Sequence, residues 1–254
     1  MSGLRWKTVW ITGASSGIGR ALALAMDEEV ATVAVSARSD DRLEALREQC
    51  VNVSAHPVDV TDGEAVARCV DAIEASAGPI DLAVLNAGTW ALMDAPNLDL
   101  TAVRSGVEVN YFGVMNALDV LIPRMLERGR GHIAIVASVA GYRGLPRAVA
   151  YGPTKAALIN LAEILRLELE PRGITVSVIN PGFVDTPMTR DNPFPMPGIV
   201  SAEEAAETIL TGLKKRKYEI AFPRGFALVM KLLRLMPNAL YFRLIRKFVM
   251  RRAA

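Results

Sequence analysis

The sequence predicts an α/β domain, a mostly parallel β-sheet covered on both faces by helices. Short apolar, β-branched runs recur at 8–12, 31–36, 53–58, 81–85, 132–137, 174–179 and 218–222. Stretches with apolar residues at helical spacing fill the gaps at 17–29, 62–76, 99–127, 150–171 and 201–213. Parallel neighbours need long crossovers, and helices provide them while burying both faces of the sheet. The first unit shows the logic. Thr8 to Thr12 reads as a strand, Leu22, Ala25 and Met26 share one helical face, and 31–36 returns as a strand.

Two segments leave this rhythm. Residues 183–200 carry Pro187, Pro193, Pro195, Pro197 and Gly198 and are expected to form a loop with interrupted helix, long enough to act as a substrate lid. Residues 223–254 are apolar and basic and follow the last expected strand. The expected organisation is one domain, residues 1–222, with a C-terminal extension, 223–254.

Composition narrows the classes. Half of the 254 residues are hydrophobic, enough for one sizeable core. Cys50 and Cys69 are the only cysteines, without a CxxC or Cys/His cluster, so no disulfide framework and no metal site is expected. The first residues lack the long apolar stretch of a secretory signal, and a reducing, cytoplasmic compartment is expected. The net charge of +2 conceals an asymmetry. Residues 214–254 hold 12 of the 29 basic residues but only Glu219 of the 27 acidic ones, a local +11 beside −9 for the remainder. Such asymmetry directs attention to a membrane surface, a nucleic acid or an acidic protein surface.

Gly13, Ser15, Ser16, Gly17, Ile18 and Gly19 belong to a glycine-rich turn placed after a strand and opening a helix. Glycines there permit a tight turn and close approach of backbone to a diphosphate, and the helix N-terminus attracts the anion. Tyr151 and Lys155 stand four residues apart at the start of an expected helix, so their side chains share one face. A free phenol loses its proton only near pH ~10, and an ammonium held close would favour the phenolate. A Tyr-x-x-x-Lys pair alone is weak evidence. The glycine turn, Asn86-Ala87-Gly88, Asn110, Ser138, Tyr151-x-x-x-Lys155 and Pro181-Gly182, in that order along one chain, form a far more specific pattern.

On these motifs, over roughly residues 5–222, the chain resembles the short-chain dehydrogenase/reductase family. The resemblance implies a Rossmann-type doubly wound sheet of about seven strands, assembly into homodimers or homotetramers, and interconversion of a carbonyl and an alcohol with a nicotinamide dinucleotide. It implies that Tyr151 is the general acid in reduction and general base in oxidation. Ser138 would hold the substrate oxygen, Lys155 would bind the nicotinamide ribose and tune Tyr151, and Asn110 would anchor a water linking Lys155 to solvent. Asn86, Ala87 and Gly88 would flank the adenosine ribose, and Asp59 and Val60 would contact the adenine. Pro181, Gly182, Val184 and Thr186 would hold the carboxamide. Gly152-Pro153-Thr154 departs from the family's usual Ser-Ala-Ser, and Leu85 stands where a second Asn is frequent; neither removes a catalytic group. At the end of the second strand Ala37 occupies the place of the Asp carried by NAD-preferring members, and Arg38 beside it suits a 2′-phosphate. NADP(H) is therefore expected over NAD(H).

Trp90, Met93, residues 142–146, Met188, Phe194 and Met196 are the expected substrate walls, and their apolar character favours a bulky or lipid-derived ketone or aldehyde. His56 and His132 lie in strand-like surroundings and are expected to be structural. In the tail, Arg243, Lys247 and Arg251 recur every four residues among apolar neighbours, the pattern of a basic amphipathic helix that lies on a membrane surface. Packing on the body or on a second subunit is the alternative; nucleic-acid binding is not expected of so apolar a helix. The competing functional readings are a soluble small-metabolite reductase with an assembly tail and a non-catalytic cofactor-sensing module. The presence of all four catalytic positions weighs against the latter.

Overall fold

The computed structural model of the protein describes residues 6–248 and Met250. Seven strands, β1 (Thr8–Thr12), β2 (Thr32–Ser36), β3 (Val53–Ala55), β4 (Leu82–Leu85), β5 (Gly131–Val136), β6 (Ile174–Pro181) and β7 (Glu219–Phe222), form one sheet in the order β3-β2-β1-β4-β5-β6-β7. Every pairing is parallel. β1 and β4 are fully buried, as expected of strands covered on both sides.

The crossover helices are α1 (Gly17–Met26), α2 (Asp40–Arg47), α3 (Gly63–Ala77), α4 (Leu100–Val107), α5 (Gly113–Glu127), α6 (Gly152–Leu169) and α7 (Ala202–Lys214). One apolar layer, with Trp10, Ile73, Leu118 and Leu158, lies under α3, α5 and α6. The other, with Leu22, Met26, Leu43, Ile209 and Leu213, lies under α1, α2 and α7. Each fully buried aliphatic side chain contributes roughly 1.5–3 kcal/mol. Strand order reverses between β1 and β4, so the connections leaving these paired strands run to opposite faces of the sheet and leave a crevice outside their C-terminal ends.

The structure differs from the sequence reading in four places. The stretch expected as one helix, 99–127, is broken by a wide π-helical turn at Glu108–Phe112 between α4 and α5. α2 was not anticipated: its mean hydropathy is low, and only Leu43 and Leu46 are buried. β3 ends at Ala55, ahead of Pro57. The 183–200 loop contains no regular helix, and its ends are tied by a bridge between Val184 and Val200.

The extension forms two helices, α8 (Arg224–Leu235) and α9 (Asn238–Phe248), separated at Pro237. Both pack on the body through their inner faces, burying Ala227, Met230, Tyr241 and Ile245. Lys231 pairs with Glu219, which also accepts hydrogen bonds from Tyr142 and Asn180. Arg143 directs its guanidinium at the carbonyls of Leu233 (3.0 Å), Arg234 (2.9 Å) and Met236 (2.7 Å), the unpaired C-terminal end of α8. It also donates to Asn238 Oδ1 (2.6 Å) and lies 4.2 Å over the Tyr241 ring. Arg251 lies outside the described residues. Among the described residues no helix is long and apolar enough to cross a membrane.

Candidate active site

The expected site residues gather along the C-terminal ends of β1, β2, β4, β5 and β6, where the crevice opens. The glycine turn follows β1. Gly13 has φ +69°, and a Cβ there would lie 2.7 Å from the Ala87 Cα, so the turn packs directly on the segment after β4. Thr12 and Asn86 fasten the two together. Thr12 Oγ1 accepts from the backbone N–H groups of Asn86 and Ala87, both at 3.0 Å, and Asn86 Nδ2 donates to the carbonyls of Thr12 (3.0 Å) and Gly13 (3.1 Å). Gly17 (φ +53°) opens α1, with Thr186 placed so closely that a Cβ would meet it at 2.9 Å. A cavity of about 250 Å³ lies beside this helix N-terminus, lined by Gly17, Arg20, Thr186 and Arg190 among others. The lining is of mixed charge, Arg20 and Arg190 beside Asp185 and Glu203, so the attraction for a diphosphate comes from the helix N-terminus and its dipole. Arg20 and Arg190 carried no motif signal, and only the folded chain brings them to the turn.

At the end of β2 Arg38 is exposed, near enough to Asp59 to act on its carboxyl. The N–H of Thr61 holds that carboxyl below the usual range, assisted by the Thr61 hydroxyl and the Arg38 charge, against partial desolvation. Val60 is buried under α5, its side chain meeting Gly113.

Ser138 stands just past β5, where its hydroxyl accepts from Ala140 N (3.1 Å) and donates to Pro181 O at 3.3 Å, a long contact. Tyr151 precedes α6, with its ring edge-on to Trp90 at 5.0 Å. One turn on, Lys155 is buried, and its Nζ donates to the Val136 carbonyl at 2.9 Å. Gly88 separates Lys155 from Asn110: a Cβ there would lie 3.5 Å from Lys155 Nζ and 3.3 Å from Asn110 Oδ1. The Asn110 side chain, in the π-helical turn, clamps Thr89 through both backbone groups (2.7 and 3.0 Å) and donates to Thr154 Oγ1 (3.1 Å).

Burial dominates the electrostatics of the pair. It pushes the Tyr151 phenol up to about 12, with the Ser138 hydroxyl opposing, and pushes Lys155 down to about 8. Lys155 Nζ lies 5.6 Å from the Tyr151 ring centroid and is bonded to a backbone carbonyl. Desolvation disfavours both charged forms.

Trp90 Nε1 donates to Asn192 Oδ1 at 3.2 Å, joining the wall to the lid, and Phe183 touches both Phe194 in the lid and Phe226 in α8. Met93 is bridged to Ala148, and Arg147 beside it adopts φ +62°. His132 is remote from this edge, with Nε2 paired to Ser177 Oγ at 2.9 Å and the ring near Trp6. His56 lies on Ser54. Among the described residues no cluster of His, Cys, Asp or Glu could hold a metal.

Comparison with known proteins agrees with this arrangement. The family described as short chain dehydrogenase matches residues 7–194. An uncharacterised oxidoreductase of Myxococcus xanthus is 37% identical over 95% of this chain and 97% of its own length. The ketoacyl reductase HetN of a Nostoc species is 33% identical over 87% of this chain and 79% of its own. Among solved structures, a short chain dehydrogenase from Burkholderia cenocepacia in complex with NADP superposes with a TM-score of 0.82 at 28% identity, covering 96% of this chain and 98% of that one. One from Burkholderia phymatum in complex with NAD also gives 0.82, at 25% identity over 91% and 94%. Matched by that family over residues 7–194 and by relatives and solved structures along most of its length, the chain belongs to the short-chain dehydrogenases, the NAD(P)-dependent oxidoreductases.

Proposed function

We propose that the protein is an NADP(H)-dependent reductase of an apolar, extended ketone or aldehyde, with Tyr151 as proton donor. The observation that carries this reading is the cluster of buried Ser138 and Lys155 with half-buried Tyr151 at the sheet edge, beside a glycine turn that opens a helix. A bound nicotinamide dinucleotide supplies the hydride. Gly13 to Gly19 and the α1 N-terminus would hold its diphosphate, while Asp59, Val60 and the backbone of Asn86 to Gly88 would flank the adenosine. The turn Pro181, Gly182, Val184 and Thr186 would hold the carboxamide. Lys155 donates to the Val136 carbonyl, and its remaining N–H donors would serve the ribose hydroxyls.

Tyr151, protonated throughout the neutral range, donates its proton to the substrate oxygen as hydride reaches the carbon, the direction of reduction. Ser138 exchanges its long bond to Pro181 for one to that oxygen, stabilising the charge that develops there. Asn110, through Thr89 and Thr154, fixes the floor beneath Lys155. Ala37 in place of an acid, and Arg38 exposed beside the adenosine pocket, favour the 2′-phosphate of NADP(H). The name of the Nostoc relative is in keeping with a carbonyl substrate.

Exposed Ile164 and Leu167 on α6 offer an apolar face for self-association, and residues 223–254 are an extension that meets a membrane surface from the cytoplasmic side. Replacing Tyr151 by Phe tests the mechanism. Turnover of carbonyl substrates by NADPH falls about 10³-fold, while NADPH binding, read by quenching of tryptophan fluorescence, is retained. Activity within tenfold of the parent would refute proton transfer by Tyr151.

A further inference from the structure

α8 has two apolar faces. Ala227 and Met230 face the body, as in any amphipathic surface helix, but Leu228, Val229, Leu232 and Leu235 on the outside are 58%, 52%, 58% and 81% exposed. Leu228, Leu232 and Leu235 follow i, i+4, i+7 spacing and form one row over two turns. α7 shows what this fold does where a helix faces water: its exposed positions are Glu203, Glu204, Glu207, Thr208, Thr211 and Lys214. On α9 Leu240 and Phe242 are also exposed, 51% and 53%. A groove of about 480 Å³ there is lined by Ala239, Phe242, Arg243, Arg246 and Lys247. No acidic residue follows Glu219 in the sequence, and among the described residues Arg224, Arg234, Arg243, Arg246 and Lys247 form no ion pair.

We propose that the outer face of α8 and α9 docks on an anionic phospholipid bilayer and sets the mouth of the substrate site against it. An exposed leucine row bordered by unneutralised cations matches the boundary between acyl chains and phosphates, and the α9 groove accepts a headgroup phosphate beside the Phe242 ring. A second copy fits less well. Two-fold pairing of this face on itself would bring the same cations together, whereas lipid phosphates neutralise them. The mouth borders the same helices: Arg143 and the Tyr241–Gly144 hydrogen bond join α8 and α9 to the 142–146 wall, and Phe226 meets the lid base at Phe183. An apolar carbonyl dissolved in the bilayer therefore has a short path to Tyr151. This rests on the reading of residues 223–254 as a membrane-surface element and of the substrate as apolar.

The test uses the full chain in flotation with phosphatidylcholine vesicles, with and without phosphatidylglycerol. Flotation with the anionic vesicles at low salt, reversed by high salt, is expected. Leu232→Glu and the triple change Arg243→Gln, Arg246→Gln, Lys247→Gln each weaken it roughly 100-fold, leaving NADPH oxidation by a short water-soluble ketone unchanged. Leu232→Glu should also raise the KM for a vesicle-borne long-chain aldehyde and not that for the short ketone. Failure of the parent to float, or equal flotation on neutral vesicles, overturns docking. So does a fall in mass on Leu232→Glu without any lipid binding, which assigns the face to a second copy. Lost flotation with an unchanged long-chain KM overturns the placement of the mouth. Inability to reduce any apolar carbonyl refutes the proposed substrate, and flotation still decides docking.

Discussion

The floor and the wall of the active site are built by different means. The floor, Ser138, Asn110, Tyr151 and Lys155, stands at the ends of strands and in helices, and its side chains bond mostly to backbone atoms. The wall is made of loops, a lid and two helices added after the sheet is complete. It is held by a few long-range side-chain contacts, among them Arg143 to the end of α8 and Trp90 to Asn192. The reacting groups stand at strand ends and in helices of the sheet layers, whereas loops and added helices carry the wall and can change without disturbing the floor. Chemistry and substrate choice are thereby separable in this chain.

Arg143→Ala carries the largest expected effect on that separation. Losing a charged donor to the end of α8 and the contact with Tyr241 costs about 3 kcal/mol, seen as a melting temperature lowered by roughly 6–10 °C and a raised KM for bulky carbonyls. A kcat for a short ketone that fell equally would break the distinction between floor and wall. Arg38→Ala acts on the cofactor side alone. Loss of a charge-assisted bond of about 2 kcal/mol reduces the NADPH-to-NADH preference in kcat/KM roughly 30-fold, and an unchanged ratio would reject phosphate pairing.

A third prediction concerns the opposite end of the sheet. Burial, with Arg216 adding to it, lowers His132 to about 3, below its unfolded value, so between pH ~6.5 and ~3 the unfolded chain binds a proton that the folded one refuses. Stability then falls as pH falls, by about 1.4 kcal/mol per pH unit from this group. Urea unfolding at several pH values should show that slope reduced in His132→Gln, with activity at neutral pH unchanged. The smallest effect is expected at the lid. Asn192→Ala removes one hydrogen bond, worth about 1 kcal/mol, and should raise KM about fivefold with kcat unchanged.

Much of the floor was legible because its signals are local. A glycine turn announces itself between a strand and a helix, and Tyr151 and Lys155 share a helix face by spacing alone. The wall was legible only in composition. That Arg143 would meet carbonyls some 90 residues later, or Asn192 reach Trp90, depends on packing that no short window of sequence contains. Arg147 at φ +62° gave no warning either, since nothing in its neighbours demands a left-handed residue. The shift of Tyr151 is hidden for a related reason: spacing shows that a lysine is near, while burial decides which protonation state prevails.

The π-helical turn at Glu108–Phe112 has the effect of a phase shift. Each added residue rotates the remainder of the helix by about 100°, and the helices on either side are differently directed. α4 fully buries only Gly106, while α5 buries Val114, Ala117, Leu118, Leu121 and Met125. A chain shortened by one residue here would run as an unbroken α-helix, with the whole apolar stripe of α5 turned off the sheet and Asn110 turned away from Thr89. One surplus residue thus keeps two helices of a single crossover in separate registers.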